Sequence, residues 1–381
     1  MATGDGGGTH GGSTGRSGTN RELACRLKGP GWWGGGVEEL PGLPLDDEVH
    51  VEAWRQYAAE AERRGTWSVL RERLVQLAFP VREGQSTDEA YRAATLRGVE
   101  PPGGPGLGLE RPDELRILLH GTPAGTVPIL VAGCREDFVA LVRALVGRNE
   151  PVEVPPSMGA ALINGYNNWD RIREHRRAWE AADPAHREPG AWEEEFRRIV
   201  PRRELYRDRF VILSRGPYSG VAAADVGLHE DEWLEASLSI RLEHECTHYL
   251  ALRVFGALRH DILEELVADF VGIVRTFGGF MPDLARLFLG LEAYPEFRPG
   301  GRLEVYGGSP PLSEEAFEAL QRLAWEGIEV LDTVARRHPG WLESPLELGR
   351  LVVALTTLGA DELSLPGGPA RVEEAVERVG T

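Results

Sequence analysis

The sequence predicts an α+β fold in which helices dominate and the sheet is small. Three observations lead there. Apolar residues recur at helical spacing through most of the chain, runs suited to strands are few and short, and Gly and Pro clusters cut the chain into helix-length segments. At 381 residues with 42% apolar content, the chain can bury a sizeable core and form two or three units. No internal repeat is present.

Residues 1–20 are rich in Gly, Ser and Thr, a composition expected to be disordered. Trp32-Trp33 before Gly34-Gly35-Gly36 reads as a loop, with an aromatic anchor for the N-terminal arm as the other reading. From Asp46 to Gly98 the pattern is helical. Ser86-Thr87-Asp88-Glu89 has the S-x-x-E form of a capping box opening the third helix. Pro101-Pro102-Gly103-Gly104-Pro105-Gly106 is a linker. Leu115–His120 and Val127–Val131 are short apolar runs joined by Gly121-Thr122-Pro123-Ala124-Gly125, which predicts a hairpin with a longer loop. A helix follows near Arg135–Val146.

Asn164-Gly165-Tyr166-Asn167-Asn168-Trp169-Asp170 packs amides, aromatics and a glycine together. It reads either as a cleft loop that hydrogen-bonds a substrate backbone, or as a helix start capped by Asn168 or Asp170 with Trp169 in the core. Arg209–Ser214 and Arg302–Tyr306 are further strand candidates, and the rest is helical. Four regions result: a tail at 1–20, a helical region at 21–100, an α+β region with the sheet at 107–225, and a helical region at 226–381.

The last region carries His244-Glu245-Cys246-Thr247-His248, an H-E-x-x-H motif within a helical pattern. Residues four apart lie one above the other on a helix, so both imidazoles reach one cation. The Glu245 carboxylate can take a proton from a water polarised by that cation. Gly256 suits the end of this helix, and a second apolar helix runs from Asp261 to Phe277. A hydrolytic zinc site wants three protein ligands and one open position. Glu265 is the candidate third ligand. It shares a face with Asp269 and Gly272, whereas Glu264 aligns with Asp261, Ala268 and Arg275 on what reads as the solvated side. Asp269 would accept the free N–H of a ligand imidazole, and Gly272 would let two helices approach.

H-E-C-T-H followed by Glu265-Leu-Val-Ala-Asp269 resembles the thermolysin-type gluzincin metallopeptidases, whose pattern is H-E-x-x-H, a spacer, then E-x-x-x-D. The resemblance implies a zincin-like pair of metal-binding helices. It implies Zn2+ held by His244, His248 and Glu265, Glu245 as general base, and Asp269 supporting a histidine ligand. The spacer, residues 249–264, is shorter than in thermolysin, so the likeness is to the broad group. It implies a peptide or small-protein substrate.

An oxyanion formed during hydrolysis needs a phenol, imidazole or guanidinium nearby. Tyr218 and His338 are the candidates for this catalytic role, with Arg215 and Tyr306 behind them. Tyr218 and Arg215 fall in the loop Arg215-Gly216-Pro217-Tyr218-Ser219-Gly220 just before the metal helix. His338 ends a helix, where a cation also suits the dipole. His260 reads as a surface residue, His120 ends a strand, and His10 lies in the tail.

The balance of 42 basic against 60 acidic residues gives −18, which argues against nucleic acid or an anionic membrane as partner. Lys28 is the only lysine. Cys25, Cys134 and Cys246 form no disulfide framework and no C-x-x-C site. Cys246 lies about 200° round its helix from His244 and is expected in the core. With no signal-like segment and no long apolar run, a cytoplasmic, restricted peptidase or processing enzyme is expected. Three rivals stand beside it: a di-iron protein using Glu245-Cys-Thr-His248 as E-x-x-H, though no second E-x-x-H exists; a zinc hydrolase for a non-peptide substrate; and a non-catalytic protein whose metal staples two helices.

Overall fold

The computed structural model describes residues 22–23, 27–29, 32–36 and 39–380. The expected disordered tail with His10, and Cys25, lie outside the described residues. The fold is mostly helical, at 58%, with one small mixed sheet of four strands, as the sequence predicts. The chain forms two compact units, Pro41–Arg253 and Met1–Leu40 with Val254–Thr381. The Pro/Gly stretch at 101–106 lies inside the first of these.

The sheet unit begins with α1 (Val51–Arg64), α2 (Thr66–Arg73) and α3 (Glu89–Arg97). Strands β1 (Arg116–Thr122) and β2 (Gly125–Val131) form the expected antiparallel hairpin. Its turn is tighter than expected, because Thr122 pairs with Gly125 and leaves only Pro123 and Ala124 between them. The Thr122 hydroxyl makes this possible: it donates to the Gly125 carbonyl at 2.7 Å and accepts the Ala124 N–H at 3.0 Å. Helix α4 (Arg135–Leu145) follows, then β3 (Ala160–Asn167), α5 (Trp169–Ala182), α6 (Ala191–Ile199) and β4 (Arg207–Leu213). The strand order is β1-β2-β4-β3, with β2 parallel to β4 and β3 antiparallel to it. Pro128 has no N–H to give, and the β2–β4 pairing starts just after it at Ile129. Trp54, Leu70, Phe138, Leu141, Phe210 and Ile212 are among the fully buried side chains of this unit's core.

Two expectations change here, and a third choice, between a cleft loop and a helix start capped by Asn168, falls to the cap. Helix α3 is capped by Asp88, whose carboxylate accepts the N–H groups of Ala90 and Tyr91 at 2.9 and 3.2 Å. Ser86 instead gives its own N–H to Glu150, so no capping box forms at Ser86. Residues 164–167, read as a loop, are the end of β3. A bulge between Asn164 and Tyr166, with Gly165 at φ +99°, breaks the strand alternation that would have shown it. The polar residues after it serve the core, not a cleft. Asn168 caps α5 at the Asp170 N–H and donates to Asp208 at 2.7 Å; Asp170, 4% exposed, accepts the Tyr57 hydroxyl at 3.0 Å.

The sheet unit continues through α7 (Ala223–Val226) into α8 (Glu230–Phe255), of which the residues to Arg253 belong to it. The helical unit contains α9 (Ile262–Phe277), α10 (Pro282–Leu289), α11 (Leu303–Tyr306), α12 (Glu314–Arg337), α13 (Pro345–Thr356), α14 (Ala360–Ser364) and α15 (Gly368–Val379). Arg302–Tyr306, read as a strand, thus contains a short helix. Helix α9 packs against α12 and α13. At Gly327 of α12 a Cβ would come within 2.9 Å of the Leu266 Cδ1 methyl on α9, so a larger residue there would push that side chain aside. Leu263, Leu266, Phe270 and Ile273 are almost fully buried, each stabilising the unit by roughly 1.5–3 kcal/mol. Glu264, assigned to a solvated side, is only 6% exposed; its carboxylate accepts the His260 N–H at 2.5 Å, and its own N–H reaches the cap Asp261. Packing on more than one side of α9 leaves it no broad wet face.

Trp32 and Trp33 are the aromatic anchor and not a free loop. Their rings lie 5.9 and 4.9 Å from that of Phe255, and the Trp32 indole N–H donates to Thr356 O at 3.2 Å.

Candidate metal centre

Helix α8 starts with Glu230, Asp231 and Glu232, which suit the positive end of the helix dipole. It ends before Gly256, whose φ of +72° lets the chain leave the helix as expected. Cys246 is 4% exposed and points into the core, and burial pushes its thiol pKa up. The two histidines are 6% and 9% exposed, and Glu245 between them is half-buried.

The two imidazoles face one point. His248 Nε2 lies 3.0 Å from His244 Nε2, with the rings nearly perpendicular at 78°. Two N–H groups would repel at that distance, so at least one Nε2 presents a lone pair. At its other nitrogen, His244 Nδ1 lies 2.9 Å from the Tyr218 hydroxyl. When Nε2 serves as a ligand, Nδ1 carries the proton and donates it to the phenol oxygen. Tyr218 is 4% exposed, and its N–H is bound by Ser237 Oγ at 2.9 Å. Arg241, one helical turn before His244, holds the same loop by donating to the carbonyls of Ser214, Gly216 and Pro217. Its guanidinium also sits 5.5 Å from the Tyr218 ring. Tyr218 is therefore fixed against the ring of His244. Arg215, the other loop candidate, pairs with Glu235 at 3.2 Å on the exposed surface.

Glu265, on α9, is half-buried and accepts the Tyr306 hydroxyl at 2.8 Å through Oε2. Burial, with the carboxylates of Glu265 and Asp269, pushes the Tyr306 pKa well above the usual phenol range, against the opposing pull of Arg302. The phenol stays protonated and is a donor. Asp269 is 1% exposed and ion-paired with Arg302. Nothing in the sequence marked Arg302 or the Tyr306–Glu265 bond, since each partner lies far from its acid along the chain. His338 closes α12: its Nε2 meets Glu373 Oε1 at 2.9 Å and its ring stacks on Trp341 at 3.9 Å.

His244, His248 and Glu265 form a group whose ligand atoms all lie within 4.8 Å of one another. A tetrahedral zinc with bonds of about 2.0–2.1 Å separates its ligands by roughly 3.3 Å, so this set fits such an ion with small side-chain adjustments. Two imidazole nitrogens and a carboxylate are also the donors zinc prefers in open sites. His338 is not in that group. Glu110, Cys134 and Glu136 also come together, but both carboxylates are exposed, an arrangement common without an ion.

A model of a protein family of unknown function matches residues 35–366, most of the chain. The chain belongs to DUF7005. No curated protein and no solved structure matches it. The family match of this DUF7005 chain spans Tyr218, the motif, Glu265 and Tyr306, but it names no activity. The gluzincin likeness therefore rests on the motif residues alone. Among the described residues no helix is long and apolar enough to cross a membrane.

Replacing Tyr218 by Phe removes the acceptor for the His244 N–H while keeping the ring. Zinc affinity is expected to fall about 10–100-fold, the usual effect of losing a partner behind a ligand. Competition against a chromophoric chelator measures it. An unchanged affinity would show that Tyr218 does not orient the ligand.

Proposed function

We propose that this DUF7005 chain is a zinc-dependent hydrolase, and within that class a gluzincin-like metallopeptidase. The observation that carries the reading is the His244, His248 and Glu265 group with Glu245 beside its first member. Three protein donors leave a position open, whereas a structural zinc site usually closes with four. That favours chemistry over a metal that merely staples helices.

Bound zinc supplies a Lewis acid that acidifies water and polarises a carbonyl. Glu245 accepts the proton of the attacking water and passes it to the leaving amine. Among the described residues no hydrogen bond or ion pair occupies the Glu245 carboxylate, so it is available as a base. Tyr218 holds the ring of His244, and Tyr306 donates to one oxygen of Glu265.

A peptide substrate is favoured by the sheet. β1 is an edge strand, and His120 on it meets Glu243 at 3.2 Å, one residue before the motif. An edge strand can take an extended peptide through main-chain hydrogen bonds. The net charge of −18 suits basic or neutral peptides.

The test is digestion of a mixed peptide library by the zinc-loaded full chain, read by mass spectrometry, with Glu245→Gln as the blank. Cleavage by the wild type alone supports the proposal. Zinc binding without any cleavage points to a non-peptide substrate. Metal binding should also appear as stability: free zinc a hundredfold above Kd stabilises the chain by about 2.7 kcal/mol. The melting temperature should rise with zinc and drop with chelator, and His248→Ala should abolish the difference.

A further inference from the structure

We infer that Lys28 and Trp32 of the N-terminal arm form a latch that positions Glu265, through the cap of the helix that carries it. The inference rests on the metal-centre reading above. The connection from α8 to α9 spans residues 256–261 and contains two left-handed backbone positions, Gly256 and His260, the latter at φ +57°. Such a connection has no regular hydrogen-bond ladder of its own and takes its shape from what grips it.

The grip is a knot around Asp261. One oxygen of Asp261 caps α9 at the Glu264 N–H, 3.1 Å away. The other oxygen accepts Arg259 Nε at 3.0 Å and the Lys28 main-chain N–H at 3.2 Å. Arg259 is 2% exposed, and its remaining donors reach the carbonyls of Thr356, Leu358 and Lys28. A buried guanidinium must have its donors answered, and the arm supplies one of the acceptors. Lys28 Nζ returns a bond to Leu258 O at 2.9 Å. Trp32 lies under both cations, 4.9 Å from Lys28 and 5.7 Å from Arg259, and its N–H takes Thr356 O.

Arm, connection and the end of α13 are thus tied together at the residue that starts α9. Glu265 lies one turn after that cap. Loss of the arm leaves Asp261 and Arg259 each short of a main-chain partner, and the first turn of α9 frays. Lys28, Trp32 and Arg259 are positioning residues for a metal ligand none of them touches.

Trp32→Ala in the full chain tests this, with Trp325→Ala as the control. Trp325 is a half-buried tryptophan of the same unit, stacked on Tyr294. Two readouts are taken at 25 °C on protein shown folded by circular dichroism: amide hydrogen exchange over residues 262–265, and zinc Kd by chelator competition. Trp32→Ala should speed exchange and weaken zinc binding each by about ten-fold, through opening of the helix start. Trp32→Phe, which keeps the ring contacts, should recover most of both. Lys28→Ala, at an exposed position, gives a smaller change of the same sign and serves if Trp32→Ala does not fold. Unchanged exchange in both arm variants overturns the latch, as does an equal effect from Trp325→Ala. Faster exchange with unchanged zinc affinity overturns the link to Glu265. Wild type that binds no zinc sinks the metal reading instead, and exchange alone then decides whether the arm latches the cap.

Discussion

Glu245→Gln should keep zinc and lose turnover. The amide has the size of the carboxylate but cannot take a proton at neutral pH, so only the base is removed. General-base catalysis contributes about 10²–10⁴-fold, and kcat should fall by at least that range because in the proposed reaction the same group also delivers the proton to the leaving amine. Zinc Kd should stay within about three-fold of wild type, because Glu245 is not among the three converging donors. Activity and chelator competition on one preparation check both halves. Retained activity would remove Glu245 as the base, and lost zinc would make it a ligand.

Glu265→Ala should do the reverse and strip the metal. It deletes one of three donors and leaves two histidines on one helix, a weak and unshaped site. Losing a group that only supports a ligand weakens metal sites by about 10–100-fold, so losing the ligand itself should exceed about 100-fold. Metal content by mass spectrometry, wild type beside the mutant, reads this directly. Glu264→Ala separates ligand loss from general damage: Glu264 bonds the His260 N–H and is buried, so its loss should lower stability and weaken zinc binding far less than Glu265→Ala does. Equal zinc in wild type and Glu265→Ala would dissolve the three-donor site.

Local patterns were legible in advance. The two motif histidines lie four apart on one helix, and nothing beyond helical periodicity is needed to put them on one face. Cys246 fell in the core for the same reason. The β1–β2 hairpin, the short β4 and the Gly256 exit also followed from local composition. The differences each have a physical cause. At β3 a one-residue bulge shifted the alternation, so strand residues looked like a polar loop. Asp88 displaced Ser86 as the cap because its carboxylate reaches two N–H groups while Ser86 is engaged with Glu150.

What the sequence by itself determined is the chemistry on offer: a helix bearing His244, Glu245 and His248, and a second helix bearing Glu265 and Asp269. Only the tertiary structure decided how those groups are held. Tyr218 and His244 are 26 residues apart and Tyr306 and Glu265 are 41 apart, so neither bond leaves a mark on local periodicity. Glu264 and Glu265 are neighbours of one type, and packing around α9 alone made the first a buried acceptor and the second a candidate ligand. Helical spacing is a short-range property of the chain, whereas the partner of a buried polar group is chosen by whatever distant segment folding brings against it.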